Sequence, residues 1–414
     1  MFRRRKSAPS SRALRIGVLH SLTGPMAPNE RSIVDSTLMS IEELNEAGGV
    51  LGRKVEPVVI DGASDAQRFA AEAERLITEE KVLAIMGCWT SSSRKATIPV
   101  LERHEHLLFY PPTYEGLEEC PYIVYTGGAP NQQVIPAVNW LLDNRGTRFY
   151  FVGSDYVWPR SSAAMIRDQL DFQGGELVGE EYRAFHETDF TELARGIAEV
   201  KPDVIINSLA HNTLDFFKEL GKCGIDPEEI PTFSLGFGED LLSQTDPSDK
   251  VGGYGVWGYF QSVDTPENEK FVSNFKRRYG PERVTEDVCH NAYVSVQLWA
   301  KAAKAAGNPS PAAIRAAIKG MRYEAPQGTV WVDEENQHLW RTVRIGHIQP
   351  SRQFDVVWTS EVVIRPVPFP PYRPRRAWND HLLGLHAGWQ GNWERLPDSP
   401  DRAFPQTLFP GPAS

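Results

Sequence analysis

Along the first three quarters of the chain, the spacing of apolar residues switches repeatedly between two periods. Leu14, Ile16 and Val18 alternate, which predicts a strand ending at His20. Val34, Leu38, Ile41 and Leu44 then share one face of a helix, which Gly48-Gly49 stops. A second strand follows over 55–61, a charged helix over 65–80, and an almost wholly apolar strand over 82–86. A strand of that last kind is covered on both faces.

The alternation continues. Strands are predicted over 107–110, 123–126, 149–153, 204–208 and 231–234. Helices are predicted over 133–142, 160–172, 191–200, 214–222, 267–279 and 291–306. Strands alternating with helices give parallel sheets with helices on both faces. The units are too many for one sheet, so the expected fold is α/β with two doubly wound, Rossmann-like lobes. After Pro326 the pattern becomes antiparallel, with strands over 329–332, 342–348 and 354–358. From Val362 the chain is rich in Pro, Arg and Trp and shows little periodicity. It reads as an arm laid on the lobes or as a disordered tail.

Composition narrows the function. The 414 residues carry 44 Lys plus Arg against 54 Asp plus Glu, a net charge of −10. Nucleic-acid binding calls for a basic stripe, and the only basic cluster, Arg3-Arg4-Arg5-Lys6, lies in a leader expected over 1–13. That leader lacks the apolar segment of an export signal, so the chain as written is expected in the cytoplasm, or in the periplasm if an upstream signal has been lost. No apolar run approaches the ~18 residues of a membrane span, so membrane insertion is not expected. The four cysteines, at 88, 120, 223 and 289, show no zinc-ligand spacing and read as free thiols.

Motifs for catalysis are missing. The sequence has no phosphate-binding P-loop, no H-E-x-x-H and no G-x-S-x-G. His104-x-His106 has metal-like spacing but reads as solvated surface. Cys88 ends a strand without an evident His partner, and a thiol nucleophile needs one. The chain therefore reads as a non-catalytic binding protein without metal or cofactor.

The strand ends carry a different chemistry. Ligands of open α/β sheets sit beyond the carboxyl ends of the strands. There the sequence places Trp89 and Ser91, Tyr110 and Thr113, Tyr156 and Trp158, and Glu239 with Asp240. Aromatic walls with a few hydroxyl and carboxylate groups suit a small neutral polar ligand. Each aromatic is also open to a core-packing reading, Trp158 most of all, Ser91 to a helix N-cap, and Glu239 and Asp240 to the opening of a helix.

Several motifs resemble type I periplasmic binding proteins. These are Gly17–Gly24, Asn45–Arg53, Gly87-Cys88-Trp89-Thr90-Ser91, Phe109-Tyr110-Pro111, Ala129–Gln133, Gly153–Tyr156 and Ser262–Asn268. The similarity is to the branch of urea-binding proteins of ABC importers and cytoplasmic amide sensors. It implies two lobes on a three-crossing hinge. Lobe 1 would hold 14–128 and 264–325, lobe 2 would hold 129–263 and 326–361, and 362–414 would form the arm. It also implies urea or a short aliphatic amide as ligand, with an ABC permease as partner. The alternative is a sensor acting on a regulatory partner. A homodimer is compatible with either.

Overall fold

The computed structural model describes residues 13–185, 187–210, 212–245 and 252–396. The basic leader, apart from Ala13, and the last eighteen positions of the expected arm lie outside them. The first part of the chain runs through β1 (Leu14–His20), α1 (Ala27–Glu46), β2 (Val55–Asp61), α2 (Ala66–Thr78), β3 (Ile85–Gly87), α3 (Ser91–His104), β4 (Leu108–Tyr110) and β5 (Ile123–Tyr125). The second runs through α4 (Val134–Asn144), β6 (Arg148–Ser154), α5 (Val157–Gln173), β7 (Glu176–Arg183), α6 (Thr191–Val200), β8 (Val204–Ser208), α7 (Thr213–Lys222), β9 (Thr232–Ser234), α8 (Glu239–Ser243) and β10 (Tyr254–Trp257). The third comprises α9 (Pro266–Tyr279), α10 (Asp287–Ala306), α11 (Pro311–Ala317), β11 (Arg322–Ala325), β12 (Gly328–Val332), β13 (Leu339–Trp340), β14 (Arg344–Ile348), β15 (Phe354–Thr359) and α12 (Arg375–Gly388).

Two large sheets result. The first lobe has the order β2-β1-β3-β4-β5, all parallel. The second has β15-β14-β10-β9-β8-β6-β7, parallel from β10 to β7, with β14 and β15 added antiparallel at one edge. Alternation along each strand feeds a core on either face of its sheet. In β1, Leu14, Ile16 and Val18 enter one cluster and Leu19 the other. In β6, Phe149 and Phe151 enter one, Tyr150 and Val152 the other.

The chain passes between the lobes three times, at 126–133, 258–265 and 341–343. One buried ion pair ties these passages together. Arg341 binds Asp287 and also donates to the Thr126 carbonyl at 3.4 Å. Asp287 in turn accepts the Gly258 and Tyr259 N–H groups at 3.1 and 3.0 Å. A Cβ on Gly258 would stand 2.0 Å from the Arg341 guanidinium, so any side chain there would have to push Arg341 away from Asp287.

The third passage corrects the expected lobe limits. β11–β13 form a small antiparallel sheet whose Ala325, Val330, Val332 and Leu339 join the first lobe's core. That lobe therefore runs on to Trp340 and does not end at 325. Of the two readings of the arm, the described part follows the one laid on the lobes, and it is helical where the sequence shows little periodicity. Its α12 presents Trp378, Leu382 and Leu385 to the second lobe's core, and Arg373 clamps Asp168 of α5. His106 is corrected too: it is buried and bonds the Val82 carbonyl at 2.9 Å. All four cysteines are free.

Candidate functional site

The carboxyl ends of both parallel sheets face each other across the passages. On the first lobe, Cys88 follows β3 with φ 64°, a left-handed conformation that turns the chain sharply into α3. Thr90, not Ser91, caps that helix, accepting the Ser93 N–H. Burial pushes the Cys88 thiol up to about 12, which keeps it protonated and unreactive.

Ser91 lies one step inside α3 and is engaged within its own lobe. It donates to Glu115 and accepts from Arg94 at 3.1 Å. The Arg94 guanidinium is buried over the Tyr110 and Tyr114 rings and pairs with Glu115 and Glu118. Burial by itself would raise the Glu118 carboxyl, but Arg94 and Lys95 overcome it and bring it down to about 2. Tyr110 donates to the Trp89 carbonyl at 2.8 Å. The Trp89 ring packs on Ile33, Val288 and Ala292. Thr113 accepts the Gly128 N–H at the first passage. The four first-lobe candidates thus serve contacts inside the protein.

The second lobe differs. Tyr156 and Trp158 open α5 with their rings 6.4 Å apart. Burial raises the Tyr156 phenol well above its usual range, with Tyr110 and Glu115 adding to the effect across the cleft. At or after the ends of β6, β8 and β9, four buried polar atoms have no hydrogen-bond partner among the described residues: Trp158 Nε1, Ser208 Oγ, Asn212 Oδ1 and Glu239 Oε2. Glu239 accepts the Gln261 N–H through its other oxygen. Burial pushes its carboxyl up to about 8, and Asp287 and Asp240 add to that. Asp240 reaches the first lobe by accepting from Ser32 at 3.0 Å, while its own N–H donates to Glu286.

The arm completes the site. Trp393 accepts the Val157 N–H at 3.0 Å, and Arg395 donates to the Asp155 carbonyl. Between them, Glu394 crosses to the first lobe and accepts from Ser92 at 2.6 Å. Lys95 sits over the Trp393 ring. A cavity of ≈ 30 Å³ remains between these parts, lined by Ser21, Pro25, Met26, Glu30, Ser64, Ala66, Phe69, Thr90, Ser93, Phe185 and Glu394. That is room for about two waters. None of the eight residues read from the sequence lines it, although Thr90 and Ser93 flank Ser91. Ser21 was readable as a strand-end residue, whereas nothing local marked Phe185 or Glu394.

Among the described residues no helix is long and apolar enough to cross a membrane, and no group of three or more His, Cys, Asp or Glu could hold a metal ion. The family described as "Periplasmic binding protein domain" matches residues 14–375, so most of α12 and the arm beyond it lie outside the match. The chain is 24% identical over 356 residues to Leu/Ile/Val-binding protein homolog 6 of Brucella suis, covering 83% of this chain and 89% of that protein. A shorter match, 37% identical over 121 residues, is to a Geobacillus stearothermophilus protein named limonene hydroxylase. It spans 29% of this chain and only 22% of that protein. Among solved structures, an ABC transporter solute-binding protein of Rhodopseudomonas palustris BisB5 in complex with 3,4-dihydroxybenzoic acid superposes with TM-score 0.79. It is 22% identical and covers 86% of this chain and 99% of that one. LivJ of Streptococcus pneumoniae in complex with isoleucine gives 0.75 at 21% identity, with 86% and 100% covered.

Proposed function

The chain belongs to the periplasmic binding protein domain family, and on that premise we propose that it is the solute-binding component of an ABC uptake system, taking urea or a short aliphatic amide between its lobes. The observation that carries the ligand class is the lining of the cavity. Its polar groups are the hydroxyls of Ser21, Ser64, Thr90 and Ser93 and the carboxylates of Glu30 and Glu394, with no Lys or Arg among them. An amide N–H finds acceptors there, and its carbonyl finds hydroxyl donors. A carboxylate solute, such as those in the two superposed structures, would meet two like charges and no cation.

Because the solute touches both lobes, it binds the closed arrangement better than the open one, and that difference drives closure. The closed form is then what a permease would recognise.

Calorimetry with urea, formamide, acetamide, isoleucine and benzoate tests the reading. One of the three amides is expected to bind, and isoleucine and benzoate are expected to fail. Tight isoleucine or benzoate binding with no response to the amides would sink the ligand class.

A further inference from the structure

We propose that Glu394, carried by the C-terminal arm, is a specificity-determining residue of the cleft, its carboxylate accepting an N–H of the bound solute and turning away anions. The arm is then a third wall of the site beside the two lobes. This inference rests on the amide reading above and assigns its selectivity to one side chain.

Three observations place Glu394 there. First, the backbone on both sides of it is fixed to the second lobe: Val157 N–H donates to the Trp393 carbonyl and Arg395 N–H to the Asp155 carbonyl, both at 3.0 Å. Val157 opens α5, so the arm supplies an acceptor to a helix start whose N–H has none within the helix. Second, the side chain leaves the second lobe and accepts from Ser92 of α3 at 2.6 Å, so one residue spans the cleft. Third, Glu394 lines the cavity together with Glu30, Thr90 and Ser93.

The two acidic residues of the cavity play different parts. Glu30 is already engaged, accepting from Ser21 N–H at 2.9 Å and bonding His20 at 2.8 Å. Glu394 has Ser92 as its side-chain donor, while a carboxylate has about four acceptor sites. Glu394 is half-buried and has acceptor sites beyond the one that Ser92 uses, so a solute that brings an N–H is favoured at this position. A solute that brings a second carboxylate is repelled.

Acetamide and acetate have nearly the same shape, and their affinities for the full-length chain provide the test. The unaltered chain is expected to prefer acetamide. Glu394→Ala should weaken acetamide by about tenfold or more. Glu394→Gln keeps an acceptor for Ser92 and for the solute but removes the charge, so acetate should gain and the acetamide-to-acetate ratio should fall by about tenfold. Amide hydrogen exchange of Val157 reports whether the arm stays seated. If Glu394→Ala frees the arm, the Glu394→Gln ratio decides. An unchanged ratio in Glu394→Gln, or a Val157 amide unprotected in the unaltered chain, would overturn the role of Glu394 while leaving the amide reading standing. An unaltered chain that binds neither urea nor any amide would overturn both.

Discussion

Each lobe buries a group of carboxylates near its strand ends, and the two groups are treated in opposite ways. In the first lobe, Glu115 and Glu118 lie against Arg94 and Lys95, and Glu118 is brought down to about 2. In the second, Glu239 and Asp240 face Glu286 and Asp287, and Glu239 is pushed up to about 8 by burial. The strand-end candidates divide in the same way, although His20 and Asn29 of the first lobe also keep a buried atom without a partner among the described residues. Ser91, Tyr110 and Thr113 are committed inside the first lobe. Trp158, Ser208, Asn212 and Glu239 of the second each retain a buried atom without a partner. The contrast teaches that the first lobe holds its buried strand-end acids with cations, whereas Glu239 is held by burial among other carboxylates; the hydroxyls offered to a solute come mainly from the first lobe.

Removing the brace is the largest test of that contrast. Arg94→Met leaves Glu115 and Glu118 buried without their main cation. Breaking a buried pair in this way costs about 3–5 kcal/mol, to be read as a lower guanidinium chloride midpoint. A loss below about 1 kcal/mol would mean that the network is not what holds the first lobe.

The pH profile comes next, and the two groups carry opposite signs. Glu118 is lowered in the folded chain, so its stabilisation is present above about pH 4.5 and is lost as pH falls towards 2. Glu239 is raised, so its contribution is complete below about pH 4.5 and is lost as pH rises towards 8. One proton sets a slope of at most about 1.4 kcal/mol per pH unit. Glu286 is raised as well, by burial and by the charges of Asp240 and Glu239. Glu239→Gln should therefore make the decline between pH 5 and 8 shallower, and Glu239→Gln with Glu286→Gln should flatten it further. Guanidinium chloride midpoints across that range decide the point, and an unchanged slope in the double variant would remove the second half of the comparison.

Much of the frame was legible from periodicity alone. The strands over 55–61 and 204–208 and the helix over 191–200 lie where the pattern puts them, because each has a full run of its own period. β7 was missed since its residues are all partly or fully exposed and its sequence, ELVGEEYR, reads as a charged loop. α12 was missed for another reason. Trp378, Leu382 and Leu385 fall at i, i+4 and i+7, but the prolines just before them hid the period. The site was legible only as a set of strand ends. Whether a hydroxyl there faces a solute or a neighbour depends on distant partners. Ser91 meets Glu115 from 24 positions away, and Ser92 meets Glu394 from 302.

The smallest expected effects separate the two lobes most sharply, because they come from changes of a single polar group. Ser91→Ala removes a hydroxyl that donates to Glu115 and accepts from Arg94. It should cost about 1–3 kcal/mol of stability and leave the affinity of the folded chain for urea or acetamide nearly as it was. Trp158→Phe keeps an aromatic ring but deletes an N–H that has no partner. Deleting an unsatisfied buried donor spares the fold, so the melting temperature should move little. Trp158 does not line the cavity in this structure, so an effect on binding requires that closure on a solute brings its N–H into the site; affinity should then drop by about five- to tenfold. The opposite pairing, with affinity lost in Ser91→Ala and only stability lost in Trp158→Phe, would exchange the roles of the two walls. Ser91 would then point into the cleft once a solute had drawn it away from Glu115, and the first lobe's network would be a resting arrangement that binding breaks.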